Sequence, residues 1–329
     1  MTVITVENLR KRFNLEAGFF ARFGRFVYAV NDVSFSIGQN ESYGLVGESG
    51  CGKTTTARLL VRMYENDSGT VTFRDTVDVK SLKGGDLKKY REKVKYVFQD
   101  PARSLNPRMS VYGVLTAGYR YSSAWPGEKK AREETAAILE EVGLSAADLE
   151  RRPAEFSGGQ RQRISIARGL LLQPDLLICD EVVSALDVSI QGQILNLLLD
   201  IRRRRSLAFL FIAHDLKVSS YFCDRIGVMY RGELMEEAVA ADLYQTCLHP
   251  YTKLLFSSVA GKPGAETTDG PAQFSALLRG EVRTPVIELS GCAFAERCPL
   301  AEERCRREHP QMRDTGSAGH RVRCFRVSG

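Results

Sequence analysis

A short apolar strand, Tyr43-Gly44-Leu45-Val46, runs directly into Gly47-Glu48-Ser49-Gly50-Cys51-Gly52-Lys53-Thr54, and a helical pattern continues from Thr54 to Met63. The octet fits G-x-x-x-x-G-K-[ST], the spacing that cradles phosphate groups. Glycines let backbone N–H groups approach phosphate oxygens, and a helix that starts at the loop aims its positive end at them. In this pattern Lys53 is placed to reach the terminal phosphates and the Thr54 hydroxyl to ligate Mg²⁺. Strand, glycine loop and helix in this order point to a nucleotide-binding α/β fold.

The rest of the chain agrees with an α/β core. Val3–Val6 and Val33–Ile37 alternate as half-buried strands do, and Val94–Phe98 is a strand that ends at Gln99. An aromatic-rich stretch between the first two strands holds Phe13, Phe19, Phe20, Phe23, Phe26 and Tyr28, and reads mostly as a hairpin with core-facing rings. Ala131, Thr135, Ile138, Leu139 and Val142 form a helical stripe stopped by Gly143, which marks a helical subdomain over about 102–165. A helix (161–172), a strand (176–179), a helix (190–201) and a strand (207–212) then alternate, so a mainly parallel sheet covered on both faces is expected. Arg202-Arg203-Arg204-Arg205 reads as a solvated helix end favoured by the helix dipole. The run from Gly261 to Pro271 is turn-rich and polar, and reads as a linker.

The composition is that of a soluble globular protein, 43% hydrophobic and 26% charged over 329 residues. A net charge of +6 does not by itself select nucleic acid over anionic lipid or acidic partners. No apolar run is long enough to span a bilayer, and the first residues lack the basic-then-apolar layout of a signal peptide. A cytosolic chain is expected, with any membrane-spanning part supplied by other subunits.

Two further motifs carry chemistry. Leu176-Leu177-Ile178-Cys179 is a buried strand that ends in Asp180 and Glu181, and two acids there are costly without a charged partner. Asp180 fits a Mg²⁺-side acid, and Glu181 fits the residue that orients or deprotonates an attacking water. Ser157-Gly158-Gly159-Gln160 offers a second set of small residues and bare N–H groups. With Gln99, Phe156 through Gln160, Ser184-Ala185-Leu186-Asp187 and His214 in order, residues 1–255 resemble the ATP-binding cassette (ABC) ATPases. The resemblance implies a RecA-like P-loop NTPase core with an antiparallel β subdomain and an inserted helical subdomain. It further implies ATP and Mg²⁺ as ligands, with Gly47 through Thr55 holding the phosphates and Phe13, in preference to Tyr28, stacking on adenine. Gln99 and Thr54 join Asp180 at Mg²⁺, Glu181 is the catalytic acid–base residue, and His214 touches the γ-phosphate. The motif Ser157-Gly158-Gly159-Gln160 and Asp187 face the ATP of a neighbouring chain, so each ATP lies between two chains. Val182 departs from the proline usual after the glutamate, which bears on the turn that aims Glu181.

Val97-Phe98-Gln99-Asp100-Pro101, Ser104-Leu105-Asn106-Pro107, His249-Pro250-Tyr251-Thr252 and a cysteine-rich tail resemble the oligopeptide/dipeptide importer branch. That resemblance makes residues 256–329 a branch-specific C-terminal extension. It implies two permease subunits, a second ATPase chain (identical or different), an extracytoplasmic solute-binding protein, and a place on the cytoplasmic face of the inner membrane with no direct contact to nucleic acid. Peptides are the commonest cargo of the branch; nickel, glutathione, opines and sugars also occur. The alternative is a soluble ABC ATPase acting on nucleic acid or ribosomes. Cys292, Cys298, Cys305 and Cys324 lack the tight pair of a structural zinc site, and a reducing cytosol disfavours disulfides. Relatives in the branch carry a [4Fe-4S] cluster in such a tail; zinc and unligated thiols are the alternatives. His309 and His320 are spare ligand candidates or surface residues.

Overall fold

The structure, a computed structural model, describes residues 1–15, 26–260, 290–317 and 319–327. Phe19, Phe20, Phe23 and the 261–271 linker lie outside the described residues. In chain order the elements begin β1 (Thr2–Asn14), β2 (Phe26–Gly38), β3 (Ser42–Val46), α1 (Lys53–Leu60), β4 (Ser68–Phe73), β5 (Val77–Asp78), α2 (Gly84–Lys93) and β6 (Val94–Val97). They continue with α3 (Pro101–Ser104), α4 (Val111–Tyr119), α5 (Glu128–Glu141), α6 (Gly158–Leu170), β7 (Leu176–Asp180), α7 (Val188–Arg205) and β8 (Ala208–Ala213). After these come α8 (Leu216–Phe222), β9 (Arg225–Tyr230), β10 (Glu233–Val239), α9 (Ala240–Thr246), α10 (Pro250–Ala260), a one-turn helix Glu303–Arg307, and the short strands β11 (Arg313–Asp314) and β12 (Arg321–Val322). The chain divides into two compact units that interleave in sequence.

The first unit is built mainly from residues 73–211. Its strands run in the order β8-β7-β6, and β6 pairs with β7 in parallel, Val94 opposite Leu176 and Val97 opposite Cys179. Every residue of β7 is buried, which is why this strand is a continuous apolar run rather than an alternating one. The α5 stripe is as the sequence predicts: Ala131, Thr135, Ile138 and Leu139 are its buried positions. Helix α6 starts at a capping box in which the Ser157 hydroxyl accepts from Gln160 N–H (3.3 Å) and the Gln160 side chain accepts from Ser157 N–H (2.9 Å). The arginine run that ends α7 is not uniformly solvated. Arg202 donates to the Asn40 carbonyl (3.0 Å), and Arg205 Nε donates to Glu141 (2.8 Å).

The second unit holds most of β1, β2 and β4, then β3, α1 and the residues from 212 onward. One sheet has the order β2-β1-β4; the other runs β11-β12-β10-β9-β3. Only β3 and β9 are parallel among the pairs of that second sheet; β9–β10, β10–β12 and β12–β11 are antiparallel. The expected parallel sheet therefore ends in an antiparallel margin, and its last strands come from the C-terminal tail. Strand β10 is unusual in carrying Glu233, Glu236 and Glu237, all at 0% exposure. Buried carboxylates persist only with charged or hydrogen-bonding partners, and the tail supplies them. His309 reaches Glu233 (2.9 Å), His320 reaches Glu236 (2.8 Å), and Arg321 Nε donates to Glu237 (3.0 Å). His320 is therefore buried and His309 half-buried, and each places its Nε2 on a buried acid.

Candidate functional site

In the second unit the fully buried β3 delivers the chain into the glycine loop. Gly47 has φ +151° and a side chain there would meet the Met229 carbonyl oxygen at 2.1 Å. Gly52, at φ +108°, is the N-cap of α1, and a Cβ would lie 2.2 Å from the Ala29 carbonyl oxygen. Both positions accept glycine alone, by backbone conformation and by space. Lys53 is 4% exposed. Its ammonium donates to the carbonyls of Gly47 (2.7 Å) and Glu48 (3.0 Å), and lies 3.6 Å from the Cys51 sulfur. A buried cation whose hydrogen bonds go to neutral carbonyls, next to a helix N-terminus, makes the loop a positive site suited to a polyphosphate. Thr54 and Thr55 follow in the first turn of α1, half-buried. Burial raises the Cys51 thiol above its ordinary range, so this residue packs rather than reacts.

Phe13, near the end of β1, is partly exposed and packs edge-on against Tyr64 (5.2 Å between centroids). Tyr28 is likewise half-buried, in β2. His214 is exposed immediately after β8, and Asp215 next to it caps α8 by accepting from Lys217 N–H (2.7 Å).

The first unit assembles the acids. Asp180 closes β7 at 3% exposure and accepts a hydrogen bond from the Tyr96 hydroxyl on the neighbouring β6. Glu181 has φ +49°, a left-handed conformation uncommon for a non-glycine residue. The turn is held by Ser184, whose N–H (3.1 Å) and hydroxyl (2.9 Å) both donate to the Glu181 carbonyl. Gln99 Nε2 donates to Glu181 Oε2 at 2.6 Å. Val182 is buried at 2% exposure, so in this chain the position after the glutamate packs into the interior. Ser157, Gly158, Gly159 and Gln160 form the start of α6, with Ser157 and Gln160 exposed. Gly159 lies against Ile190, where a Cβ would come within 2.7 Å of a side-chain methyl. Asp187 is the exposed N-cap residue of α7.

The tail cysteines converge. Cys292, Cys298, Cys305 and Cys324 all line one cavity of ≈ 20 Å³, together with Phe294 and Pro310. Burial pushes the Cys292 thiol up to about 11 and raises Cys298 and Cys324 as well. The donor set suits a thiolate-bound group, but the expected metal arrangement is not reproduced. Among the described residues no group of three or more His, Cys, Asp or Glu is placed to hold a metal ion.

Comparison with known proteins decides the family. The ABC transporter family model matches residues 30–184, and that for the oligopeptide/dipeptide transporter C-terminal region matches residues 235–305. The probable peptide ABC transporter ATP-binding protein y4tS of Sinorhizobium fredii is 43% identical, over 94% of this chain and 86% of its own length. The oligopeptide transport ATP-binding protein AppF of Bacillus subtilis is 40% identical, over 99% of this chain and 98% of its own. This chain belongs to the ABC transporter family, in its oligopeptide/dipeptide branch. The fold agrees: the dimeric ATP-binding cassette MJ0796 in a post-hydrolysis state, bound to ADP and Pi, aligns with a TM-score of 0.62 at 25% identity over 72% of this chain and 98% of that one. Neither relative bears the name of a nucleic-acid or ribosome-acting protein, so that alternative finds no support in them.

Sequence reasoning missed three features of this ABC chain. Tyr96 reaches Asp180 from the adjacent strand, three residues before Gln99; the strand's alternation was the available signal. The Tyr251 hydroxyl accepts from Glu48 N–H (3.1 Å), which gives the His-Pro-Tyr-Thr motif a place against the glycine loop. Arg297 also reaches that loop, pairing with Glu48, and no local pattern in the sequence announces it.

Proposed function

We propose that this chain is the ATP-hydrolysing subunit of a peptide importer. The observation that carries the reading is the full series of cassette motifs in a chain similar nearly end to end to an oligopeptide transport ATP-binding protein. Two such chains close over two ATP molecules beneath two permease subunits. An extracytoplasmic binding protein delivers the solute, and the cassettes lie on the cytoplasmic face of the inner membrane. Among the described residues no helix is long and apolar enough to cross a membrane, which is consistent with separate permeases.

In this reading residues 47–55 bind the phosphates and Phe13 stacks on adenine. Thr54, Gln99 and Asp180 hold Mg²⁺, which neutralises phosphate charge. Glu181 takes the proton of the attacking water, His214 contacts the γ-phosphate, and residues 157–160 with Asp187 serve the neighbouring chain's ATP. The work of the protein is positioning and electrostatic stabilisation. The cassette core spans 1–255, with its helical subdomain at about 102–165. The extension at 256–329 holds a [4Fe-4S] cluster on its four cysteines, a proposal supported by their convergence on one cavity. Iron, sulfide and zinc analysis of anaerobically prepared protein tests the cluster: a zinc-loaded or metal-free chain contradicts it. Uptake of labelled di- and oligopeptides in cells lacking the chain tests the function. Restoration by the wild type but not by Lys53→Ala is expected, and normal uptake without the chain would refute the importer role.

A further inference from the structure

Glu48 is a conspicuous charge to find in a phosphate-binding loop. Its carboxylate sits one residue from Gly47 in a loop that otherwise concentrates positive charge around Lys53. Arg297 of the tail answers it: Nη1 donates to Glu48 Oε1 and Oε2, both at 3.1 Å, and both side chains are largely buried at 18% and 17% exposure. The Tyr230 hydroxyl accepts from the same nitrogen at 3.4 Å, and the guanidinium lies 5.6 Å from that ring's centre. The Glu48 backbone is held separately, its N–H donating to Tyr251.

The segment that aims Arg297 is itself anchored. It is a turn between Cys292 and Cys298, with Ala295 N–H donating to the Cys292 carbonyl (3.0 Å) and Arg297 N–H to the Phe294 carbonyl (3.0 Å). Phe294 enters an aromatic cluster with Tyr230 and Tyr251, each at 5.3 Å, and Glu296 pairs with Arg231 (2.8 Å). The turn that brings two cysteines to the cavity therefore also places a guanidinium on the glycine loop.

We infer that Arg297 is a positioning residue for ATP: it neutralises and orients Glu48, so the C-terminal tail sets the affinity of the phosphate loop for nucleotide. The inference rests on the assignment of residues 47–55 to the phosphates. A carboxylate left without its guanidinium repels an incoming polyphosphate and is free to compete for Lys53. Because the pair is partly shielded, screening by salt reduces the effect without abolishing it.

The test is calorimetric titration of the full chain with ATP in the presence of a magnesium chelator, so that hydrolysis does not intervene. Arg297→Gln should bind ATP about three- to tenfold more weakly than wild type, the range for one partly exposed charge pair. Arg297→Lys, which keeps the charge, should lose less. In a Glu48→Gln background the Arg297→Gln change should cost less than about twofold, because its target charge is gone. A purely structural role would give the same loss in both backgrounds, and that outcome overturns the inference, as does wild-type affinity in Arg297→Gln. Arg297→Met replaces the Gln variant if the latter does not melt like wild type. Lys53→Ala separates the two levels: if it retains ATP binding, the loop assignment itself fails. If it loses binding while Arg297→Gln does not, only the role of Arg297 falls.

Discussion

Nε2 of His320 lies 2.8 Å from Oε1 of Glu236, joining the C-terminal tail to a carboxylate that solvent does not reach. The same carboxylate accepts from the N–H groups of Leu248 (2.6 Å) and His249 (3.1 Å), so it also organises the start of α10. His320→Ala leaves Glu236 short of its side-chain donor inside the protein. A loss of about 1–3 kcal/mol is expected from an underfilled buried acceptor, read by urea unfolding followed by circular dichroism. Removing residues 290–329 deprives Glu233, Glu236 and Glu237 of a partner each, and should abolish the cooperative transition. A truncated chain with wild-type stability would show that the tail is dispensable to the core.

That dependence marks the limit of what the sequence discloses. The glycine loop, β7 with the acids at its end and the α5 stripe were all legible because local patterns specify them: a fixed octet, an apolar run, a helical period. The β10 acids were not. Glu233, Glu236 and Glu237 look like surface residues until β12 and the His309 segment arrive from the far end of the chain. The Glu48–Arg297 pair is opaque for the same reason, since charge partners distant in sequence leave no periodic signal. The cysteine tail was legible as a cluster in sequence, yet the positions of its thiols depend on how the 290–327 segment packs.

His249 gives a pH dependence with a definite sign. Burial lowers its pKa to about 3, against a hydrogen bond to the Arg323 backbone that works in the other direction. Its Nδ1 accepts from Tyr251 N–H at 3.0 Å, which requires that nitrogen unprotonated. Below the ordinary histidine range the unfolded chain takes up a proton that the folded chain refuses. Its contribution is therefore fully present above about pH 6.5 and is lost as pH falls toward 3, at up to about 1.4 kcal/mol per pH unit. Urea midpoints at pH 7 and pH 5.5 should differ more in wild type than in His249→Asn. Equal differences in the two proteins would assign the acid sensitivity elsewhere.

Gln99 Nε2 and Glu181 Oε2 meet at 2.6 Å across the ends of β6 and β7. Glu181→Gln keeps the size of the side chain but removes the carboxylate proposed as the base. ATPase activity should fall by two orders of magnitude or more, in line with the loss of general-base catalysis, about 10²–10⁴-fold. With ATP intact, the variant should elute as a stable dimer on size exclusion in ATP and Mg²⁺, and as a monomer without nucleotide. Wild-type turnover in Glu181→Gln would remove the residue from its assigned role and return attention to the Val182 turn.

Tyr96 offers the sharpest test of how Asp180, the acid proposed to hold Mg²⁺, is fixed. Its hydroxyl donates to Asp180, which is 3% exposed, from the parallel strand β6, where Tyr96 pairs with Ile178. A hydrogen bond to a carboxylate contributes about 1.5–3 kcal/mol, more than one between neutral groups. Tyr96→Phe removes that donor while its ring still packs against Phe98, 4.8 Å away. Two effects should separate. Stability should drop by about that amount, and the Mg²⁺ concentration for half-maximal ATPase activity should change because the carboxylate is no longer fixed in direction. Ring packing alone predicts neither effect, since phenylalanine preserves it. A variant with wild-type unfolding and wild-type Mg²⁺ dependence would mean that Asp180 is oriented by its other contacts, and that the tyrosine is only filling space beside the strand.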